Sequence, residues 1–152
     1  MFKSYPGDLG IPEEMYQQPT SVEIFAAAQK AGHLWVASVG SESHLVGFAL
    51  VVEIDRYAHL DELDVLPSYG RRGIGSSLLA AVCSWAGKIG YPAVTLRTFR
   101  DVPWNAPFYQ KHGFSIVEST TLSEKHVGLE ASERQRGLRT DIRVTMAYNT
   151  AG

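Results

Sequence analysis

The 152-residue sequence predicts an α/β fold, an α+β arrangement on one mixed sheet, and two changes of hydrophobic period carry the prediction. Up to about residue 66 the apolar residues fall in short alternating or continuous runs bounded by turn residues, the pattern of strands. From Gly73, the residues Ile74, Leu78, Leu79, Val82, Trp85 and Ala86 recur at helical spacing, and strands and helices then alternate to the end. A chain of this length fits one domain, spanning 1–152, and can bury a core without disulfide or metal staples.

The elements follow in order. Residues 1–19, rich in Pro, Gly and Tyr, read as an irregular segment. Thr20 or Ser21 can cap a helix over "VEIFAAAQKAG", which Gly32 stops. "HLWVASV" and "HLVGFALVVEI" read as two strands joined by "GSES", and a third strand covers about His59 to Leu66. Pro67 ends it, because a proline nitrogen cannot donate to a ladder. The helix from Gly73 closes at Gly90. "AVTLRTF" is then a strand, "PWNAPFYQKHG" a short helix, and "FSIVEST" a further strand. A polar helix within Leu122 to Gly137 leads to a last strand, "DIRVTMAY". The helix between the third and fourth strands makes that pair parallel by default.

Composition narrows the function classes. A formal net charge of -2 argues against nucleic-acid binding through bulk positive charge. No apolar run reaches the roughly 20 residues of a membrane span and the start carries no secretory pattern, so the expected address is cytoplasmic, with no membrane partner. Cys83, the single cysteine, lies in an apolar run and reads as a small core residue. His33, His44, His112 and His126 fit no metal spacing and read as surface or strand-end residues; no metal is expected.

The chemistry-bearing stretch is "LDVLPSYGRRGIGSSLL", an apolar strand, a basic glycine turn and a helix start. Unpaired N–H groups of a first helical turn carry partial positive charge, glycines admit a phosphate close to the backbone, and Arg71 and Arg72 add charged donors. A P-loop is excluded, because Ser76 and Ser77 follow Gly75 with no Lys. The dinucleotide fingerprint is excluded because Leu78 stands where its third Gly belongs.

The stretch resembles the acetyl-CoA-binding motif of the GCN5-related N-acetyltransferases: V-x-P, a spacer, then Q/R-x-x-G-x-G/A and a helix. Val65 and Pro67 match it, Gly73 and Gly75 take its glycine positions, and Gly70 stands where the motif has Gln or Arg. "NAPFYQKHGF" resembles the same family's fourth-helix segment, with Tyr109 four residues before Gly113-Phe114; Asn105 is displaced from the family's Asn position, which holds Val102 here. The resemblance spans roughly Val22 to Met146 and implies an acyl-CoA N-acyltransferase fold lacking its usual first N-terminal strand. Either the sheet lacks that edge strand or another chain covers the edge, and in the second case a homodimer is the expectation.

The resemblance also implies roles. Acetyl-CoA is the co-substrate. Leu63, Asp64 and Val65 line its pantetheine arm as an added strand would, with a backbone N–H facing the thioester carbonyl. Gly70, Arg71, Arg72, Gly73, Ile74, Gly75, Ser76 and Ser77 form the pyrophosphate cradle, and Asn105, Phe108 and Tyr109 complete the cofactor site. Tyr109 is the expected acid for the leaving thiolate. His59 and Asp61 are the first candidates for the base, with Glu62 in reserve. Alternation places His59, Asp61, Leu63 and Val65 on one face and Glu62 and Asp64 on the other, unless a bulge intervenes. Trp104 and Phe108 flank Tyr109 and either line an acceptor pocket or join the core. The expected activity is acetyl transfer to a small primary amine. A protein lysine or N-terminal acetyltransferase, and a CoA-binding sensor without turnover, remain alternatives.

Overall fold

The strand and helix signals resolve, in a computed structural model that describes residues 27, 29–39 and 44–151, into six strands and three longer helices. Residues 29–31 are helical and end at Gly32, which has φ 77°. The rest of the expected N-terminal helix, the irregular segment and the question of a first strand lie outside the described residues.

The strands are β1 (Leu34–Val39), β2 (His44–Ile54) and β3 (Tyr57–Val65), then β4 (Ala93–Phe99), β5 (Ser115–Val117) and β6 (Arg143–Asn149). The helices are α1 (Ile74–Ile89), α2 (Ala106–Lys111) and α3 (Glu124–Gln135). The sheet order is β1-β2-β3-β4-β6-β5, and only β3 and β4 run parallel, as their helical crossover requires. β3 begins two residues before the expected start, because Asp55 takes φ 54° and closes the β2–β3 hairpin tightly, with Ile54 facing Tyr57. β5 stops at Val117, short of the expected Thr120, because Ser119–Thr121 turns into a 3₁₀ helix.

A bulge sets the faces of β3. Leu50 lies opposite Glu62 and Val51 opposite Leu60, so Asp61 is the extra residue. The alternation expected for His59, Asp61, Leu63 and Val65 is thereby corrected. Leu60 shares a face with Leu63 and Val65, while His59 shares the other with Glu62 and Asp64.

The two faces are covered differently. Ala49, Val51, Ala58, Leu60, Val65, Val94, Leu96 and Met146 form one apolar core with Leu78, Leu79, Val82 and Ala86 of α1 and with Ala106 and Tyr109 of α2. On the opposite face, Thr95, Arg97 and Thr145 meet α3, whose buried residues are His126 and Glu133. There the Arg97 guanidinium is 3 % exposed; it donates to both Glu133 oxygens at 3.0 Å and to Glu130 at 3.0 Å. Arg143 reaches Glu133 as well, at 2.9 and 3.1 Å. Burial by itself raises the Glu133 carboxyl, but the hydrogen bonds from Arg143 and Arg97 outweigh it and hold Glu133 below its usual value.

Candidate active site

β3 and β4 pair only at Ala58–Val94 and His59–Thr95. Beyond His59, β3 pairs with β2 alone and β4 with β6 alone, so the strands part toward their carboxyl ends. Among the described residues, backbone N–H and C=O groups on the facing edges at Leu63 and Val65 have no strand across from them, and such groups demand a partner. A peptide-like arm carrying amides can supply it. Openings at the carboxyl ends of parallel strands are where α/β sheets commonly bind ligands.

The glycine turn sits at the mouth of this opening. After the 3₁₀ turn Pro67–Tyr69, Arg71 adopts φ 64° and Gly73 φ 79°, both left-handed. Gly73 is the N-cap of α1 and offers no side chain to the first turn, whose N–H groups stay available to an anion. An added Cβ at Gly73 meets nothing within 4 Å, so the glycine serves the backbone angle. A Cβ on Gly75 would lie 3.7 Å from Phe108 Cζ and 3.9 Å from Val65 Cγ2, which brings the strand end, the helix start and α2 to one place. Gly47 belongs there too: a Cβ on it would stand 2.9 Å from the Asp64 carbonyl oxygen and 3.2 Å from Val65 Cγ2. The sequence reading passed over Gly47, whose only signal was an isolated glycine inside a strand.

The arginines differ in surroundings. Both are exposed, but the Arg72 guanidinium lies over the Tyr69 ring at 5.0 Å. Arg72 also lines a cavity of about 290 Å³ between β1 and the start of α1, with Trp35, Ala37 and Leu78. Ser76 is half-buried and its hydroxyl pairs with His112 Nε2 at 3.0 Å, while Ser77 is exposed. Asn105 is the N-cap residue of α2, but its side chain makes no capping bond.

Tyr109 is buried, with its ring edge-on to Phe108 and Phe114. Among the described residues its hydroxyl has no hydrogen-bond partner. No fully buried side-chain polar atom among the described residues lacks one, so this hydroxyl is open at its tip. Burial pushes the phenol above its ordinary value, and it stays protonated at neutral pH. Trp104 is 40 % exposed, which removes it from the core. Cys83 is packed against the core and burial pushes its thiol up to about 11, so it is no nucleophile at neutral pH.

On the α3 face, His59 is 5 % exposed. Its Nδ1 lies 2.8 Å from Thr95 Oγ1, which lies 3.0 Å from His126 Nε2; His126 Nδ1 is 2.6 Å from Ser123 Oγ. His126 is 1 % exposed, which corrects the reading of it as a surface residue. His33 is half-buried with its ring edge-on to Trp85. Burial, with the neighbouring His126 and Arg97, lowers His59 to about 4, against a smaller opposing pull from Glu133. Burial also lowers His126. Asp61 is exposed at the bulge, yet the protein packed beside it strips enough hydration to raise its carboxyl, with Arg136 pulling the other way. Burial raises the Glu62 carboxyl, and the Asp61 and Asp64 charges add to the rise. His59 and Glu62 therefore share a face near the parting strands, and Asp61 stands at the bulge between them.

The family model for the acetyltransferase (GNAT) family matches residues 2–114. Among solved structures, PaiA N-acetyltransferase from Thermoplasma acidophilum in complex with coenzyme A is 20% identical, with TM-score 0.59 over 84% of this chain and 68% of that one. Nourseothricin acetyltransferase is 20% identical, with TM-score 0.56 over 77% of this chain and 64% of its own. Ard1 from Thermoplasma volcanium is 20% identical, with TM-score 0.63 over 93% and 87%. This chain thus spans less than two thirds of the nourseothricin enzyme, and at such identities the likeness is one of fold.

Proposed function

The chain belongs to the acetyltransferase (GNAT) family, an N-acetyltransferase whose acetyl donor is acetyl-CoA, and on that premise we propose that it acetylates a small primary amine by direct attack in a ternary complex. The observation that carries the reading is the parting of β3 from β4 directly before a glycine turn that opens a helix. The facing edge of β3 at Leu63, Asp64 and Val65 takes the pantetheine amides. The first turn of α1, from Gly73 to Ser76, takes the pyrophosphate, with Arg71 and Arg72 as charged donors. Gly70 contributes backbone only. Ser76 is already engaged by His112, so its part is a backbone N–H.

A backbone N–H at the bulged strand polarises the thioester carbonyl as the amine attacks. The developing thiolate leaves with the Tyr109 proton; the hydroxyl is protonated, open at its tip and, among the described residues, without a competing partner. His59 Nε2 takes the proton shed by the attacking nitrogen as its new bond forms. Being lowered to about 4, His59 is uncharged at neutral pH, while Asp61 and Glu62 supply negative charge that draws a cationic amine. A small-molecule acceptor is also what the name of nourseothricin acetyltransferase indicates for that protein.

Thiol release from acetyl-CoA across a panel of primary amines, with lysine and N-terminal peptides alongside, tests the reading. Amine-dependent release with the peptides inactive is expected. Release with peptides alone would move the acceptor to protein, and tight CoA binding without release in any case would make the chain a sensor.

A further inference from the structure

The helix that carries Tyr109 is six residues long, follows Pro103 and holds Pro107 in its first turn. Its far end is set by Gly113, at φ 93°, where an added Cβ would meet the Tyr148 ring at 3.1 Å. Sideways, one polar bond reaches out of α2. His112, its C-cap residue, is half-buried, and His112 Nε2 lies 3.0 Å from Ser76 Oγ in the first turn of α1, thirty-six positions earlier. Among the described residues, this is the only side-chain hydrogen bond that residues 105–112 make to another element. It forms with either ring tautomer, because a hydroxyl both gives and accepts. The His112 ring also lies 4.7 Å from the Phe108 ring, and Phe108 Cζ would be 3.7 Å from a Cβ on Gly75. Phe108 in turn meets Tyr109 edge-on at 5.2 Å. Ser76 stands three residues past the N-cap Gly73, so its N–H has no partner within the helix. One residue thus offers its N–H outward and its hydroxyl to α2.

We propose that His112 is a positioning residue: its bond to Ser76 fixes α2 against the first turn of α1, and so sets the Tyr109 hydroxyl at the distance from the pyrophosphate cradle that the thioester sulfur reaches. The inference rests on the proposed function for the cofactor's placement and the acid, and on the geometry for the tie itself. Coenzyme A joins its pyrophosphate to its sulfur through a flexible arm, so the spacing between cradle and acid has to come from the protein. A misplacement of about 1 Å can cost on the order of 10²-fold in rate. His112 itself moves no proton in the step. Without its bond, α2 is still held by the packing of Tyr109 and Phe114 in the core, so the fold persists while the placement of the acid loosens.

His112→Ala is expected to lower kcat roughly tenfold, with the KM for acetyl-CoA within about twofold because the backbone cradle is intact. His112→Gln, whose amide nitrogen reaches the place of Nε2, is expected to restore most of the turnover. Ser76→Ala keeps the cradle N–H and should lower kcat as far as His112→Ala does. The double variant should be no slower than either single one, since both remove the same bond. A folded His112→Ala protein with unchanged kcat overturns the proposal, as do single losses that multiply in the double variant. Amide hydrogen exchange tests the tie without turnover. The Tyr109 and Phe114 amides, which donate to the Asn105 and Tyr109 carbonyls, should exchange roughly fivefold faster in His112→Ala while those of β4 keep their rates. Unchanged exchange at Tyr109 and Phe114 overturns the tie. An enzyme silent on every amine would sink the acceptor reading instead, and the exchange rates would still decide the tie.

Discussion

The two faces of the sheet are built by opposite means. Under α1 and α2 the residues are apolar, and Leu79, Val82 and Ala86 descend onto β strands that present alanine, valine and leucine. Under α3 the inward residues His126, Glu130 and Glu133 are all polar, and each finds a partner on β4 or β6. The first face is stabilised by removing apolar surface from water. The second depends on complete pairing, since an unpartnered buried charge costs more than the pair contributes. The apolar face holds the strand end and helix start where the cofactor is proposed to sit. The polar face holds the proposed base.

The largest expected effect breaks the polar face. Glu133→Ala leaves the Arg97 guanidinium buried without its bidentate partner, at a cost of about 3–5 kcal/mol in a denaturant titration. Leu79→Ala on the other face costs about 2–5 kcal/mol through its cavity. A loss under about 1 kcal/mol for Glu133→Ala would mean that the network is ordinary surface. Next comes Tyr109→Phe, which removes only the hydroxyl and is expected to lower kcat by roughly 10²-fold with little change in Tm; unchanged turnover would remove Tyr109 as the acid.

Acid then separates the faces. His59 and His126 have folded values below their unfolded ones, so below about pH 6.5 the unfolded chain binds more protons and stability falls. His59 alone accounts for a loss of about 2 kcal/mol by pH 5, and its contribution is exhausted below about 4. Glu133, also depressed, adds a loss beginning nearer pH 4.5 and continuing below it. A Tm flat from pH 7 to 5 would show that these imidazoles are hydrated. The smallest effect is Arg71→Ala with Arg72→Ala, expected to raise the KM for acetyl-CoA about tenfold while kcat changes less than twofold. An unchanged KM would return both to ordinary surface.

The same contrast explains what was legible in the sequence. The bounds of β2, β4 and α1 follow from apolar period and from Gly73 and Gly90, both at left-handed angles that glycine adopts freely. The glycine turn and Tyr109 were recognisable because their spacing is carried by short contiguous segments. The bulge at Asp61 was not, since nothing in "HLDELDV" marks which residue is extra. The inward stripe of α3 escaped because hydropathy finds buried faces by their apolar residues, and His126, Glu130 and Glu133 keep helical spacing without them. His126 looked like a surface residue for that reason. Its burial is set by Thr95, thirty-one positions away in sequence.

A structure with coenzyme A bound tests the central claim most directly. The account predicts the pyrophosphate on the first turn of α1 and the pantetheine between β3 and β4. The sulfur should lie within hydrogen-bond reach of the Tyr109 hydroxyl. Coenzyme A seated instead in the cavity between β1 and α1, with β3 and β4 empty between them, would contradict it.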